Sequence, residues 1–490
     1  MHNSQDLQKV LELRQAILSG DEKRLKEQRD AGKLTARERV EKIADAGSFV
    51  ELFALVSQNQ EGAGVITGYA TIEERPVYLF AQDYTVPGGA MGKDQAAKIV
   101  KLLDMALKTG APVLAMMDSA GVRIDEGAQA MSAYSEIYQK MARMSGVCPM
   151  VALVLGPCIG GAALLSQLAD VTIMAEKAGQ LMVFGPQVMA AMNGLQVKPE
   201  ELGGAKVAAE MGACALVAAN EDEALLQAKQ VLALLPSSNL EDAEVLDADD
   251  MNRLLPAVDP SDVDGLLKAV ADRDTLLELY ATYEPSVKVA MARLGGHAVG
   301  LIAASGKLSA GALQKAARFV RFMDCFGLPV VSLLNTSGVE VSSIQAQGWL
   351  FKAQSQLLYA YAEATVPKLA VVTGDAIGQA YVAMGGKANA DVTYAWPSAV
   401  ISALTPEAAV AVLYQDEVKA DKKLSPEDAR AKYADQYVAE IAGAVNAAVQ
   451  GMVDDIIEPA KTRAMLISAL EMLISKRDSN PPKKHGNLPM

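Results

Sequence analysis

The chain has 490 residues, 51% hydrophobic and 21% charged, which is enough to bury more than one core and excludes a disordered or fibrous protein. Forty-five lysines and arginines stand against 59 aspartates and glutamates, and the net charge of −14 disfavours a nucleic-acid partner or an anionic membrane surface. The four cysteines are scattered with no CxxC pair, so the expectation is no metal, no disulfide framework and reduced thiols in a cytoplasm.

The opening MHNSQDLQKV lacks the basic and then apolar run of a signal peptide. Leu7, Val10, Leu11, Ile17 and Leu18 recur at helical spacing and predict a helical arm for packing or assembly. Thr35 with Glu38 predicts a capping box that opens a second helix, with Val40 and Ile43 turned inward. Apolar runs at 112–118, 149–156 and 170–175 then alternate with helical stretches, the pattern of βα units on a mainly parallel, buried sheet. The run from Met150 to Leu165 is broken by glycines and a proline, so it reads as strand, turn and helix and not as a membrane span. An acidic, turn-rich linker is expected at 236–262, after which the pattern restarts at 329–335, 367–374 and 391–396.

The restart is a repeat. Ser48–Phe53 returns as Thr275–Tyr280, Ala97–Asp104 as Ala317–Asp324, Asp118–Gly121 as Asn335–Gly338, Gly156–Ala162 as Gly374–Ala380, and Ala169–Thr172 as Ala390–Thr393. Matched segments in matched order imply one domain written twice. In each copy a glycine-bearing turn joins a buried strand to a helix of small residues. The first N–H groups of such a helix have no partner within it and can face a developing negative charge; tight packing of helix on sheet is the alternative use of the same glycines. None of the three histidines (His2, His297, His485) stands beside either turn, and no HExxH, GxxxxGK[ST] or strand-borne GxGxxG occurs. A Ser-His-Asp or Cys-His device is therefore unsupported. Arg123 and Lys93 sit near turns where a cation could meet an anionic ligand or form an ordinary surface ion pair. Glu126 and Glu340 fit helix caps as well as acid/base groups.

The segments KLTARERVEKIADAGSFVEL (33–52), MMDSAGVRIDEG (116–127), GPCIGGA (156–162), ELGGAKV (201–207), KAARFVRFMD (315–324), YAYAEATVPKLAVVT (359–373) and VDDIIEPAKTR with KKHGNLP (453–489) carry a resemblance nearly end to end. The chain resembles the carboxyltransferase (beta) subunit of biotin-dependent acyl-CoA carboxylases and the matching alpha subunit of sodium-pumping acyl-CoA decarboxylases. The resemblance implies an α/β fold, a duplicated crotonase-like (ClpP/crotonase) βα superhelix. Residues 1–245 would be the acyl-CoA half with its helical arm, and residues 246–490 the biotin half.

It further implies that the N–H groups of Gly160 and Gly161 hold the thioester oxygen of a short acyl-CoA, with Gly121, Val122 and Arg123 lining the same site. Those of Gln379 and Ala380 would hold the ureido oxygen of biotin beside Gly338, Gly378 and Val382. The sequence has neither an Ala-Met-Lys-Met attachment site nor an ATP-grasp signature, so biotin would arrive on a biotin carboxyl carrier protein. The other partners implied are a biotin carboxylase subunit or a membrane decarboxylase subunit, and further copies of this chain in a hexamer. Three features depart from the family pattern: Gly378–Val382, where Gln379 replaces a common glycine and Val382 an acid; Asn335–Ser342 in place of a Pro-Gly-rich loop; and Gly300–Ala316, shorter than the corresponding loop.

Overall fold

The computed structural model describes residues 2–56, 62–246 and 249–489. The predicted capping box forms: Thr35 N donates to Glu38 Oε2 at 2.8 Å and Glu38 N to Thr35 Oγ1 at 3.3 Å, and helix Ala36–Ile43 buries Val40 and Ile43. In front of it lie helices His2–Ser19 and Glu22–Asp30; the first leaves Leu7, Val10, Leu11 and Leu18 exposed.

The chain divides into two compact units, Met1–Asp242 and Ala243–Met490, where the sequence alone suggested a division at 245/246. The first unit is built on β1 (Val50–Leu52), β2 (Val65–Ile72), β3 (Arg75–Gln82), β4 (Val113–Ser119), β5 (Met150–Ile159), β6 (Val171–Ala175), β7 (Gln180–Met182) and β8 (Leu216–Ala218). The second has β9 (Leu277–Leu279), β10 (Val287–Leu294), β11 (His297–Leu308), β12 (Val330–Val339), β13 (Lys368–Ile377), β14 (Val392–Ala395), β15 (Val400–Ser402) and β16 (Asp455–Ile456).

Each set forms one eight-stranded sheet of the same topology, β1-β2-β3-β4-β5-β6-β8 with β7 beside β5, and β9-β10-β11-β12-β13-β14-β16 with β15 beside β13. The first three strands of each pair antiparallel, and the remaining pairings are parallel. Every residue of β4 is buried, as expected of a parallel strand covered on both faces. Helices Lys93–Thr109 and Ala128–Met144 supply Leu102, Leu103, Ile137 and Met141 to the first core.

The repeat extends to backbone detail that no side-chain pattern announces. Phe53 and Tyr280, which close β1 and β9, both adopt positive φ, at 59° and 56°. Asp45 accepts hydrogen bonds from the N–H groups of Glu73 and Glu74 at the β2–β3 hairpin, and Asp272 does the same for Gly295 and Gly296 at the β10–β11 hairpin.

Candidate functional site

In the first unit the parallel strands β4 and β5 end side by side, and two turns leave them. β7 runs beside the end of β5, pairing Ile159 with Met182, and the next N–H, that of Gly160, donates to Met182 O at 2.8 Å. Gly160 then takes φ +62°, a left-handed value costly for any residue with a Cβ, and serves as N-cap of helix Gly161–Leu168. This corrects the sequence expectation in one respect: the Gly160 N–H is already committed inside the fold. Among the described residues nothing accepts from the N–H of Gly161.

The second turn, after β4, reaches Gly121 with φ +110°. Its N–H donates to Ser119 Oγ at 3.2 Å, and its carbonyl accepts from Met91 N at 2.8 Å. Arg123 N returns to Met91 O at 2.8 Å, which leaves the intervening Val122 N–H without an acceptor among the described residues. A Cβ on Gly121 would stand 3.4 Å from Ile159 O, so the two turns touch. Two unpartnered backbone donors, on Gly161 and Val122, thus belong to adjoining turns. Sequence reasoning placed Val122 in the acyl-CoA site but did not single out its N–H, because only the Met91–Val122 bridge shows which donors are used.

Arg123 is held by acids: its guanidinium meets Asp125 at 2.7 Å and Glu126 at 3.4 Å. The hydrogen bond that Arg123 donates to Asp125 is the chief reason that the guanidinium is held above its ordinary value and the Asp125 carboxyl below its own. Glu126 is a cap, accepting from Lys93 N at 2.7 Å where helix Lys93–Thr109 begins. Beneath the turns lies a buried ionic cluster that the sequence did not disclose. Arg39 Nη1 meets Asp118 at 2.9 Å and its Nε meets Glu221 at 2.7 Å, while Nη2 donates to Leu155 O at 3.0 Å; Lys33 Nζ lies 2.7 Å from Asp118.

The second unit repeats the construction. Gly378 takes φ +70° and donates its N–H to Ser402 O of β15 at 2.9 Å, and helix Gln379–Met384 follows. Gly378 therefore corresponds to Gly160, and Gln379 to Gly161. The N–H groups of Gln379 and Ala380 have no acceptor among the described residues. Gly338, at φ +101°, donates its N–H to Thr336 Oγ1 at 3.2 Å as Gly121 does to Ser119. Ala380 is buried, whereas Gln379 and Val382 are exposed. Asp375 occupies the place of Pro157 on the strand before the turn; burial, and then nearby Glu407, hold its carboxyl above the usual range. None of the described histidine side chains is at either turn; His297 pairs with Glu471 at 2.9 Å.

Two sheets of one topology, each delivering a strand, a left-handed glycine and a helix with unpartnered N–H groups, define a duplicated crotonase-like enzyme. The model of the carboxyl transferase domain matches residues 27–488. The chain is 38% identical over 498 residues to methylmalonyl-CoA decarboxylase subunit alpha of Veillonella parvula, with 96% of each chain covered. It is 37% identical over 503 residues to the carboxyltransferase subunit of propionyl-CoA carboxylase of Haloferax mediterranei, with 97% of each covered. Among solved structures it superposes on transcarboxylase 12S, a hexamer with hydrolysed methylmalonyl-coenzyme A bound, at a TM-score of 0.92 and 37% identity, covering 99% of this chain and 98% of that one. The chain belongs to the carboxyl transferase family and is an acyl-CoA carboxyltransferase. Among the described residues no helix is long and apolar enough to cross a membrane.

Proposed function

We propose that the chain transfers a carboxyl group between biotin on a separate carrier protein and the α-carbon of a short acyl-CoA, acetyl- or propionyl-CoA on one side and malonyl- or methylmalonyl-CoA on the other. The observation that carries this is the duplicated turn with unpartnered backbone donors, because the reaction puts charge on two different oxygens. In the first half the N–H groups of Gly161 and Val122 would hold the thioester oxygen. When the α-proton leaves, the C–H electron pair passes into the enolate and the negative charge gathers on that oxygen. A pre-aimed backbone donor is worth about 3 kcal/mol at such a point.

The second half fits biotin by its donors. A neutral ureido carbonyl needs N–H groups, and Gln379 and Ala380 provide them without a cationic side chain in the turn. Gly378 leaves room beside them: a Cβ there would meet only Ala403 O, at 3.7 Å. This half would hold biotin through the Gln379 and Ala380 N–H groups, and the bound group would supply the transferable carboxyl and the base for the α-proton. The chain's own part is to hold both oxygens, with Gly338 and the exposed face of Val382 bordering the second.

The partners that follow are a biotin carboxyl carrier protein and further copies of this chain, arranged as a hexamer like that of transcarboxylase 12S. Similarity to a decarboxylase alpha subunit favours, as a second reading, the same step run from malonyl-type CoA towards biotin beside a membrane decarboxylase subunit. A biotin carboxylase partner would set the opposite direction. The test is release of the carboxyl group from malonyl-CoA and methylmalonyl-CoA by the full chain, with and without free biotin or a biotinylated carrier. Biotin-dependent release is expected. Release at the same rate without biotin, or none with the carrier present, would overturn the proposal.

A further inference from the structure

We propose that Tyr134 and Tyr138 are positioning residues for carboxyl transfer, which lock the peptide units around Gly161 so that its N–H is held ready for the thioester oxygen. The inference rests on the reading of the first half as the acyl-CoA site. Consecutive glycines have broad φ/ψ freedom, and a donor that must reorient during the reaction loses much of its value.

Helix Ala128–Met144 presents both tyrosines to the turn. The Tyr138 hydroxyl donates to Gly161 O at 3.0 Å, and because the peptide unit is planar this fixes the plane joining Gly161 to Ala162. The Tyr134 ring fills the space a side chain at Gly161 would need, since a Cβ there would lie 2.6 Å from the ring. Its hydroxyl donates to Gly121 O at 3.2 Å, which ties the glycine turn to the turn that carries Val122.

The two rings stack with centroids 5.7 Å apart at 19°, so each supports the other against the turn. On the far side of Gly161, Gly160 is anchored through its N–H to Met182 O and through its carbonyl to Leu164 N at 3.3 Å. Every neighbouring peptide group is thus held by protein, and the Gly161 N–H is left for substrate. Burial raises both phenols, so each stays a neutral donor at working pH. Among the described residues the Gln379 carbonyl of the second unit has no such clamp. Tyr361 and Tyr381 bond Ser332 and Met452 O, and among the described residues no tyrosine hydroxyl reaches the Gln379 carbonyl.

The test uses the full chain with propionyl-CoA carrying ¹³C at the thioester carbonyl, read by difference infrared spectroscopy, together with steady-state transfer assayed with the biotinylated carrier. In the native protein the bound carbonyl band is expected to move to lower wavenumber. Tyr138→Phe should lose most of that shift and about tenfold in kcat, with KM for the acyl-CoA within about twofold and an unchanged melting temperature. Tyr134→Phe should show a smaller loss of the same kind. Variants that keep both the band shift and kcat overturn the inference, as does a fall in melting temperature with kcat and shift intact, which would mark the pair as packing alone. A native protein whose carbonyl band does not move would instead remove the reading of the first half, and this inference with it.

Discussion

The two units share one topology and differ in how they fill the space under their turns. In the first, Asp118 is fully buried between Arg39 and Lys33, and Arg39 also binds Glu221 and the Leu155 carbonyl. In the second, Asn335 stands at the matching place and accepts from Asp375 N at 3.0 Å. Leu266 replaces Arg39, each the fourth residue past a side-chain N-cap, Asp262 and Thr35. The second unit keeps its buried charge elsewhere, with Arg463 held by Asp272 and Asp249 beside the β10–β11 hairpin. Topology therefore does not require the charges. It requires filled volume and satisfied polar groups, which an ion cluster or a leucine and an amide both provide.

The largest effect that would break this symmetry is expected from Asp118→Ala. Removing the acid leaves the buried Arg39 with Glu221 alone and the half-buried Lys33 without its ion pair, a loss of about 3–5 kcal/mol by urea denaturation. Asn335→Ala, which removes only a neutral hydrogen bond, should cost about 1–3 kcal/mol. Equal losses at the two positions would mean that the cluster is no more demanding than the amide.

Next comes the residue after each left-handed glycine. Gly161→Ala drives a Cβ into the Tyr134 ring, and overpacking of this kind costs about 1–3 kcal/mol, with a matching fall in kcat. Gln379→Ala alters only an exposed side chain and should leave kcat within about twofold. Thermal melts and carboxyl-transfer rates on both variants decide the point; a Gly161→Ala chain as active and stable as the native one would show that the ring yields.

The smallest effect concerns pH. Asp375 binds its proton more tightly folded than unfolded, so its contribution to stability is complete below the unfolded carboxylate range and is lost as pH rises through its raised folded value. Asp375→Asn should therefore raise the melting temperature at pH 7 relative to the native chain and give no gain near about pH 3. Pro157, its counterpart in the first unit, carries no charge and should show no such pH dependence on substitution by alanine.

Much of this molecule was legible before any coordinates. The strand cores at 112–118, 149–156, 329–335 and 367–374 are apolar and flanked by turn residues, so local pattern alone places β4, β5, β12 and β13 within a few residues. The capping box at Thr35 is likewise a local arrangement of residues close in sequence, and it forms as read. Duplication was visible because each copy must satisfy the same packing and so retains the same order of segments. Not legible were partnerships between residues far apart in the chain. Gly160 and Gly161 are the same residue type side by side, and only β7, lying where Met182 can accept, makes one a structural donor and leaves the other open. Tyr138 becomes a clamp only because a helix returns across the turn, and Arg39 meets Asp118 and Glu221 from distant segments. Hydrophobic period and turn chemistry are local and survive in the sequence as pattern. Which hydrogen-bond donor is left for a substrate depends on what every neighbouring acceptor has already taken, and that is decided only when the sheet closes around it.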